Sequence, residues 1–298
     1  MRRRMATLAL VVAVVGLVGC GGGGKERVQA TAEALANAAG KTADRHSGHI
    51  EMQMHLTVDG KDATVEGNGG YDNSAHTFTL TMDLSSLSTL GGSDSGTAAA
   101  MLGSSLELRS VDGVTYLKLP ALASVFGGKG TDWASFSLPS GDAPLGAATA
   151  DPSAFLDYLR GAGGTVEDKG HADVRGVDTT HLATTFTPRE ALANAPEQYK
   201  DQVQRALGSL GGSGDAFLDT PLPIDVYIDA DGLVRRYEMA VALPITGKSS
   251  TGQVQVDFFD FGTSFAVEAP PADQVTDLTS LFKTFAPGRA AASDSSSS

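Results

Sequence analysis

Cys20 is the only thiol in 298 residues. It follows Arg2, Arg3 and Arg4 and an apolar run from Met5 to Val18, and it closes the stretch Leu17-Val18-Gly19-Cys20. A charged head, a short apolar run and a small residue before the break read as a secretory signal. The run is too short to span a bilayer comfortably. With one thiol there is no internal disulfide and no thiolate-built zinc site. The other chemical groups point to no reaction. Gly92-Ser93-Asp94-Ser95-Gly96 has the wrong phase for a nucleophile elbow and reads as a loop. Gly67-Asn68-Gly69-Gly70 lacks the third glycine and the following helix of a dinucleotide loop. Asp229-Ala230-Asp231-Gly232 begins like a calcium loop but lacks the remaining ligands, so it reads as a hairpin turn.

The histidines are His46, His49, His55, His76, His171 and His181. His46 and His49 could share a helix face, but His49 sits where a strand begins. His55 and His76 fall on polar strand faces, and His181 suits a hydrogen-bonded structural role. No carboxylate pair is singled out by spacing. No catalytic residue, metal ligand or cofactor is therefore expected, and an enzyme would have to rest on some single carboxylate or on His181.

Leu17 to Cys20 resembles the bacterial lipobox. That resemblance implies cleavage before Cys20 and a diacylglyceryl group on its sulfur. The alternatives are a plain secretory signal or an uncleaved anchor. Removing residues 1–19 takes away three arginines and no acid, so 279 residues remain and the net charge moves from −13 to −16. Such acidity argues against nucleic acid, whose phosphates need Lys and Arg. It also opposes docking on anionic lipid, so attachment would come from the acyl chains. Each buried methylene contributes about 0.8 kcal/mol, and two chains make a stable anchor.

The elements follow from periodicity. Gly21 to Gly24 is a flexible tether. Val28, Ala32, Leu35, Ala39 and Ala43 keep helical spacing with a thin, Ala-rich face. The period then becomes two. Ile50, Met52, Met54, Leu56 and Val58 alternate with polar residues, and Phe78, Leu80, Met82 and Leu84 do the same. Thr64 to Tyr71 is a strand weakened by glycines. Leu106 and Leu108 start another, Asp112-Gly113 is a hairpin turn into Val114 to Leu119, and Trp133 to Leu138 is one more. Residues 85–104 read as a loop with a short helix.

Asp151-Pro152 opens a helix over Phe155, Leu156 and Leu159. Val174 to Val177 and Thr180 to Phe186 read as strands. Thr187-Pro188-Arg189-Glu190 is a capping box before a helix that Pro196 breaks or restarts. Ile224, Val226 and Ile228 run into the Asp229 turn, Tyr237, Met239, Val241 and Leu243 return, and Val254, Val256 and Phe258 follow. Val275, Leu278, Leu281, Phe282 and Phe285 suggest a closing helix before a disordered Ser-rich tail. The sum is about ten strands, mostly antiparallel, with few helices. The two β-rich halves, 48–138 and 165–262, have the look of a diverged duplication.

A sheet of this size curls, and its apolar face must be covered. Thin helices over a curved sheet can leave an apolar cavity. Met52, Met54, Met82 and Met239 suit such a surface, because methionine is flexible and polarizable. An ordinary packed core with methionine as gap-filler matches the same periodicity. The strand faces nominate Ile50, Met52, Met54 and Leu56, then Phe78, Leu80 and Met82, then Leu106 and Leu108, then Val226, Met239 and Val241 as cavity lining.

Four stretches carry a resemblance to a known family. They are the lipobox ending in Cys20, Val174-Arg175-Gly176-Val177-Asp178-Thr179-Thr180-His181, Val226 to Arg236, and Phe258-Phe259-Asp260-Phe261-Gly262 running into Ala269-Pro270-Pro271-Ala272-Asp273. In that order they resemble the actinobacterial lipoproteins of the LppX/LprAFG type, within the LolA/LolB-like lipoprotein-carrier fold. The resemblance implies an α+β fold in which a curved antiparallel half-barrel sheet covers a few amphipathic helices. It implies a signal peptide over 1–19, an acylated Cys20 with its Gly tether over 20–25, a lipid-binding domain over 26–285 and a tail over 286–298. The implied partners are a lipid or lipoglycan ligand, the extracytoplasmic face of the cell membrane and a membrane transporter, with no nucleic acid. An envelope interaction or regulatory lipoprotein with a filled core, docking a transporter or sensor, would share these features.

Overall fold

Two-residue alternation organises most of the described residues into one sheet. The computed structural model describes residues 30–90, 103–118, 132–137, 165–187, 189–190, 193, 218–242, 250–264 and 266–279. The first half contributes β1 (Ser47–Val58), β2 (Lys61–Asp72), β3 (Thr77–Asp83), β4 (Ser105–Val111), β5 (Val114–Lys118) and β6 (Trp133–Phe136). The second contributes β7 (Glu167–Val174), β8 (Val177–Phe186), β9 (Leu222–Asp229), β10 (Val234–Ala242) and β11 (Ser250–Phe259), followed by β12 (Val275–Asp277). The order across the sheet is β12-β6-β5-β4-β3-β2-β1-β11-β10-β9-β8-β7. It is two meanders joined through β1 and β11, antiparallel at every described pair except β12 on β6. The sheet is open, because β7 and β12 each end it unpaired by the other.

The turns are chemically specified. Asp112 and Gly113 hold φ of 52° and 77°, the left-handed pair that a two-residue hairpin needs. Arg175 and Gly176 hold 54° and 80° in the same way. The expected strand over Val174 to Val177 is therefore a turn, flanked by β7 and β8. β7 escapes sequence reading because Glu167, Asp168 and Lys169 are exposed and only Val174 is buried. An edge strand needs no apolar face to hold it. Among the described residues twelve strands stand where about ten were expected, and β12 is the other addition. Val275 opens not a helix but a strand in register with Trp133, and Leu278 N–H donates to the Ser135 carbonyl. Leu281, Phe282 and Phe285 lie outside the described residues, as do the helix at Asp151 and the helix beyond Pro196. The capping box itself is present: Thr187 N–H donates to Glu190 Oε2 at 2.8 Å and Glu190 N–H to Thr187 Oγ1 at 3.2 Å.

The described helix, α1 (Ala32–Ala43), begins at Thr31, whose Oγ1 accepts from Ala34 N–H. Val28 lies outside the described residues. The loop expected over 85–104 begins as a 3-10 turn, Ser85–Leu90. Leu35, Ala38 and Ala39 bury α1 against the inner face of the sheet, in one cluster with Ile50, Ile228, Val234 and Phe258. Thr42 makes the polar joint. Its hydroxyl donates to the Ala38 carbonyl and accepts from Val234 N–H, each at 2.8 Å, and both Thr42 and Val234 are fully buried. Thr42→Val keeps the shape but strands the Val234 N–H. It is expected to cost about 1–3 kcal/mol by urea unfolding, while Thr42→Ser stays near wild type.

Candidate functional site

Strand register sorts the nominated residues into rows on the inner face, the face that carries Ile50 and Met52 of β1. One row runs Leu106, Met82, Gly67, Met52, Val256, Tyr237, Val226, Leu182. The next runs Val65, Met54, Val254, Met239, Ile224, Thr184. All four methionines among the described residues thus stand within two adjacent rows. Gly67 lies between Met52 and Met82, so β2 offers no side chain at the centre of the first row. A Cβ there would crowd Met82 Cγ at 3.1 Å. At Gly69 a Cβ would fall inside the radius of the Thr79 carbonyl oxygen, and so β3 closes tightly on β2.

Burial divides the nominated set. Ile50, Phe78, Leu80, Leu108 and Val226 are fully packed members of the core cluster. Met52, Met54, Leu56, Met82, Leu106 and Met239 are half-buried. The core takes in Met52, Met82 and Met239 as partly buried members, whereas Met54, Leu56 and Leu106 continue the face beyond it. Val241 pairs with Gly252 on β11, and its side chain lies outside the described residues. Sequence reasoning left out Val254, which sits half-buried between Met54 and Met239. Its alternation with Val256 and Phe258 is visible in the sequence; its neighbours are not. Cys20 lies outside the described residues.

The outer face carries the polar chemistry. Asp229 N–H and carboxylate build the β9–β10 turn: Oδ1 accepts from Leu233 N–H and Oδ2 from Arg235 Nε at 2.6 Å. Arg236 donates two bonds to Asp257, at 2.6 and 2.7 Å, and Asp257 is almost wholly buried. That pairing raises the Arg236 pKa further. His181 Nε2 donates to Asp225 Oδ1 at 2.6 Å and its ring stacks on Tyr227 at 4.4 Å, giving His181 the hydrogen-bonded place expected of it. Burial, with Glu238 and Asp225 nearby, pushes the Tyr227 phenol up to about 12. The phenol stays neutral from neutral pH to beyond pH 10. Its raised pKa favours the folded state below the usual tyrosine range, and this is lost as pH rises toward 12. Tyr227→Phe is accordingly expected to remove one tyrosine that ionises well above pH 10 from an alkaline absorbance titration of the folded protein.

Arg175, at the β7–β8 turn, reaches Glu51 on β1 at 2.6 Å and lies 3.9 Å over the Phe259 ring. At the β7–β9 corner a concavity of about 430 Å³ is lined by Thr165, Glu167, Lys169, Ala183, Thr184, Thr185, Pro223, Ile224 and Asp225. Glu167, Ala183, Thr185, Pro223 and Asp225 are outer-face positions, whereas Ile224 and Thr184 end the second methionine row, so the concavity wraps the edge of the sheet where that row stops. Among the described residues no three of His, Cys, Asp and Glu converge as a metal site. No described helix is long and apolar enough to cross a membrane.

No protein-family model and no curated protein matches the chain. Solved structures do. LprF from Mycobacterium bovis is 13% identical over 80% of this chain and 96% of its own, with a TM-score of 0.43. Lipoprotein LppX from Mycobacterium tuberculosis is 15% identical over 79% and 98%, with a TM-score of 0.41. A putative outer membrane lipoprotein-sorting protein domain from Vibrio parahaemolyticus is 9% identical over 79% and 95%, with a TM-score of 0.26. At these identities and scores the likeness assigns neither a family nor a ligand. The lipoprotein type that the sequence resembles is a type found among the structural neighbours of this chain.

Proposed function

We propose that this chain is an exported lipoprotein, anchored through a diacylglyceryl group on Cys20, that holds lipid or another long-chain amphiphile against the inner face of its sheet. The observation that carries the reading is the half-buried apolar surface formed by Met52, Met54, Leu56, Met82 and Met239 in adjacent register rows. A continuous apolar surface that the protein does not fully cover is a binding surface in waiting. Methionine adapts its shape to variable chains. Burial contributes about 25 cal/mol per Å² of apolar area, so an acyl chain binds there without directed polar contacts. The domain would span 26–285, a half-barrel over its helices, on the extracytoplasmic face of the membrane. Holding and releasing a chain requires no bond to be made or broken, so this is a binding protein rather than an enzyme.

A second reading, an envelope interaction or regulatory lipoprotein that docks a transporter or sensor, draws on the full packing of Ile50, Phe78, Leu80, Leu108 and Val226. Native mass spectrometry separates the two. A form starting at Lys25, made in a related host, is weighed and then extracted for lipid analysis. Co-purifying lipid supports the carrier. An empty protein that takes up neither phospholipid nor glycolipid overturns it and favours a protein partner found by crosslinking.

A further inference from the structure

The concavity at the β7–β9 corner shares Ile224 and Thr184 with the end of the second methionine row, but the rest of its lining carries different chemistry. Its volume of about 430 Å³ falls within the roughly 300–1,000 Å³ typical of small-molecule sites. Ala183 and Pro223 give it an apolar patch, and Glu167 and Asp225 place carboxylates on its wall. Lys169 Nζ donates to Glu167 Oε2 at 2.6 Å. The wall therefore already holds one ammonium group, supplied by the chain itself. Asp225 is held by His181 from outside the concavity. Glu167, Asp225 and Lys169 together leave the wall one net negative charge, and the chain as a whole carries −13. Anionic ligands are repelled there, and a second cation is attracted.

We propose that this concavity is a second binding site, for an organic cation bearing an ammonium or guanidinium group on a short apolar stem. The cation pairs with Asp225 and competes with Lys169 for Glu167, while its stem lies on Ala183 and Pro223. The cation's partners and the patch under its stem, Glu167, Asp225, Ala183 and Pro223, are outer-face positions, so the inference does not depend on the lipid reading.

The test is calorimetric titration of the full chain, in uncharged detergent micelles, with arginine methyl ester. Saturable binding is expected, with citrate giving none. Asp225→Asn and Glu167→Gln each weaken it by about tenfold, since each removes a charge-assisted bond. Both side chains are substantially exposed, so both variants fold. Lys169→Met tightens binding several-fold by removing the competing ammonium, an effect that a merely structural ion pair would not produce. Glu33→Gln, an exposed acid on α1, leaves binding unchanged. A peptide with one central arginine distinguishes the source: tighter binding than the ester points to a basic segment of a partner protein, and equal binding to a free amine. Absence of saturable binding up to about 10 mM ester, or binding unchanged in Asp225→Asn and Glu167→Gln, overturns the proposal.

Discussion

Phe258→Ala is expected to lower the unfolding free energy by about 3–5 kcal/mol, the usual cost of emptying a buried aromatic site. Phe258 is 1% exposed and stands opposite Ile50 across the β1–β11 pair. Its ring is tilted against Tyr237 with centroids 6.0 Å apart, and α1 closes the same cluster through Leu35. These neighbours belong to rigid strands and a helix, so the site collapses little when the ring is removed. The loss is a large share of a domain's whole stability, typically about 5–15 kcal/mol. Urea unfolding followed by far-UV circular dichroism measures it. A change below about 1 kcal/mol would mean that the two meanders are not joined through this ring.

Met54→Glu is expected to reduce lipid loading at least tenfold while the protein still folds, and Met82→Glu to do the same. Met54 lies between Val65 and Val254, one row from Met52, on the stretch of inner face beyond the packed core. A carboxylate at a half-buried position keeps water, so folding tolerates it. A bound acyl chain would expel that water and leave the charge against hydrocarbon, which costs several kcal/mol. The effect on loading thus far exceeds the effect on stability. Loading is read as lipid per protein by native mass spectrometry, and folding by thermal unfolding. If either variant folds and carries lipid in full, the lining assignment fails.

Local pattern was enough for some of this and not for the rest. Ile50 to Val58 alternates cleanly, and β1 follows. Asp112-Gly113 and Thr187 to Glu190 specify a turn and a cap through their own side chains and dihedrals, so both can be read without neighbours. Register is different. That Met54, Val254 and Met239 stand side by side depends on β11 pairing with β1 on one side and β10 on the other, which no short-range signal encodes. Residues chosen by face alone therefore mixed packed positions such as Val226 with half-covered ones such as Met239. β7 shows the opposite limit. Its ladder to β8 is held by backbone bonds, and side chains such as Glu167 and Lys169 betray none of it.

The joining of the meanders through β1 and β11 dictates an order of assembly. The β1–β2, β2–β3 and β4–β5 hairpins can close over two to four residues as soon as their turns exist. The partner of β1 is nearly the last strand in the chain, and the clasp between Thr42 and Val234 spans 192 residues. Contacts at such separations form late, because the loop entropy must be met before they contribute. Until then the first meander presents β1 as an unpaired edge with Met52, Met54 and Leu56 on one face. Such an edge is a template for pairing with another chain. Folding yield should therefore fall with concentration more steeply than stability alone would suggest. A separately added segment containing β7 to β11 should compete for that edge.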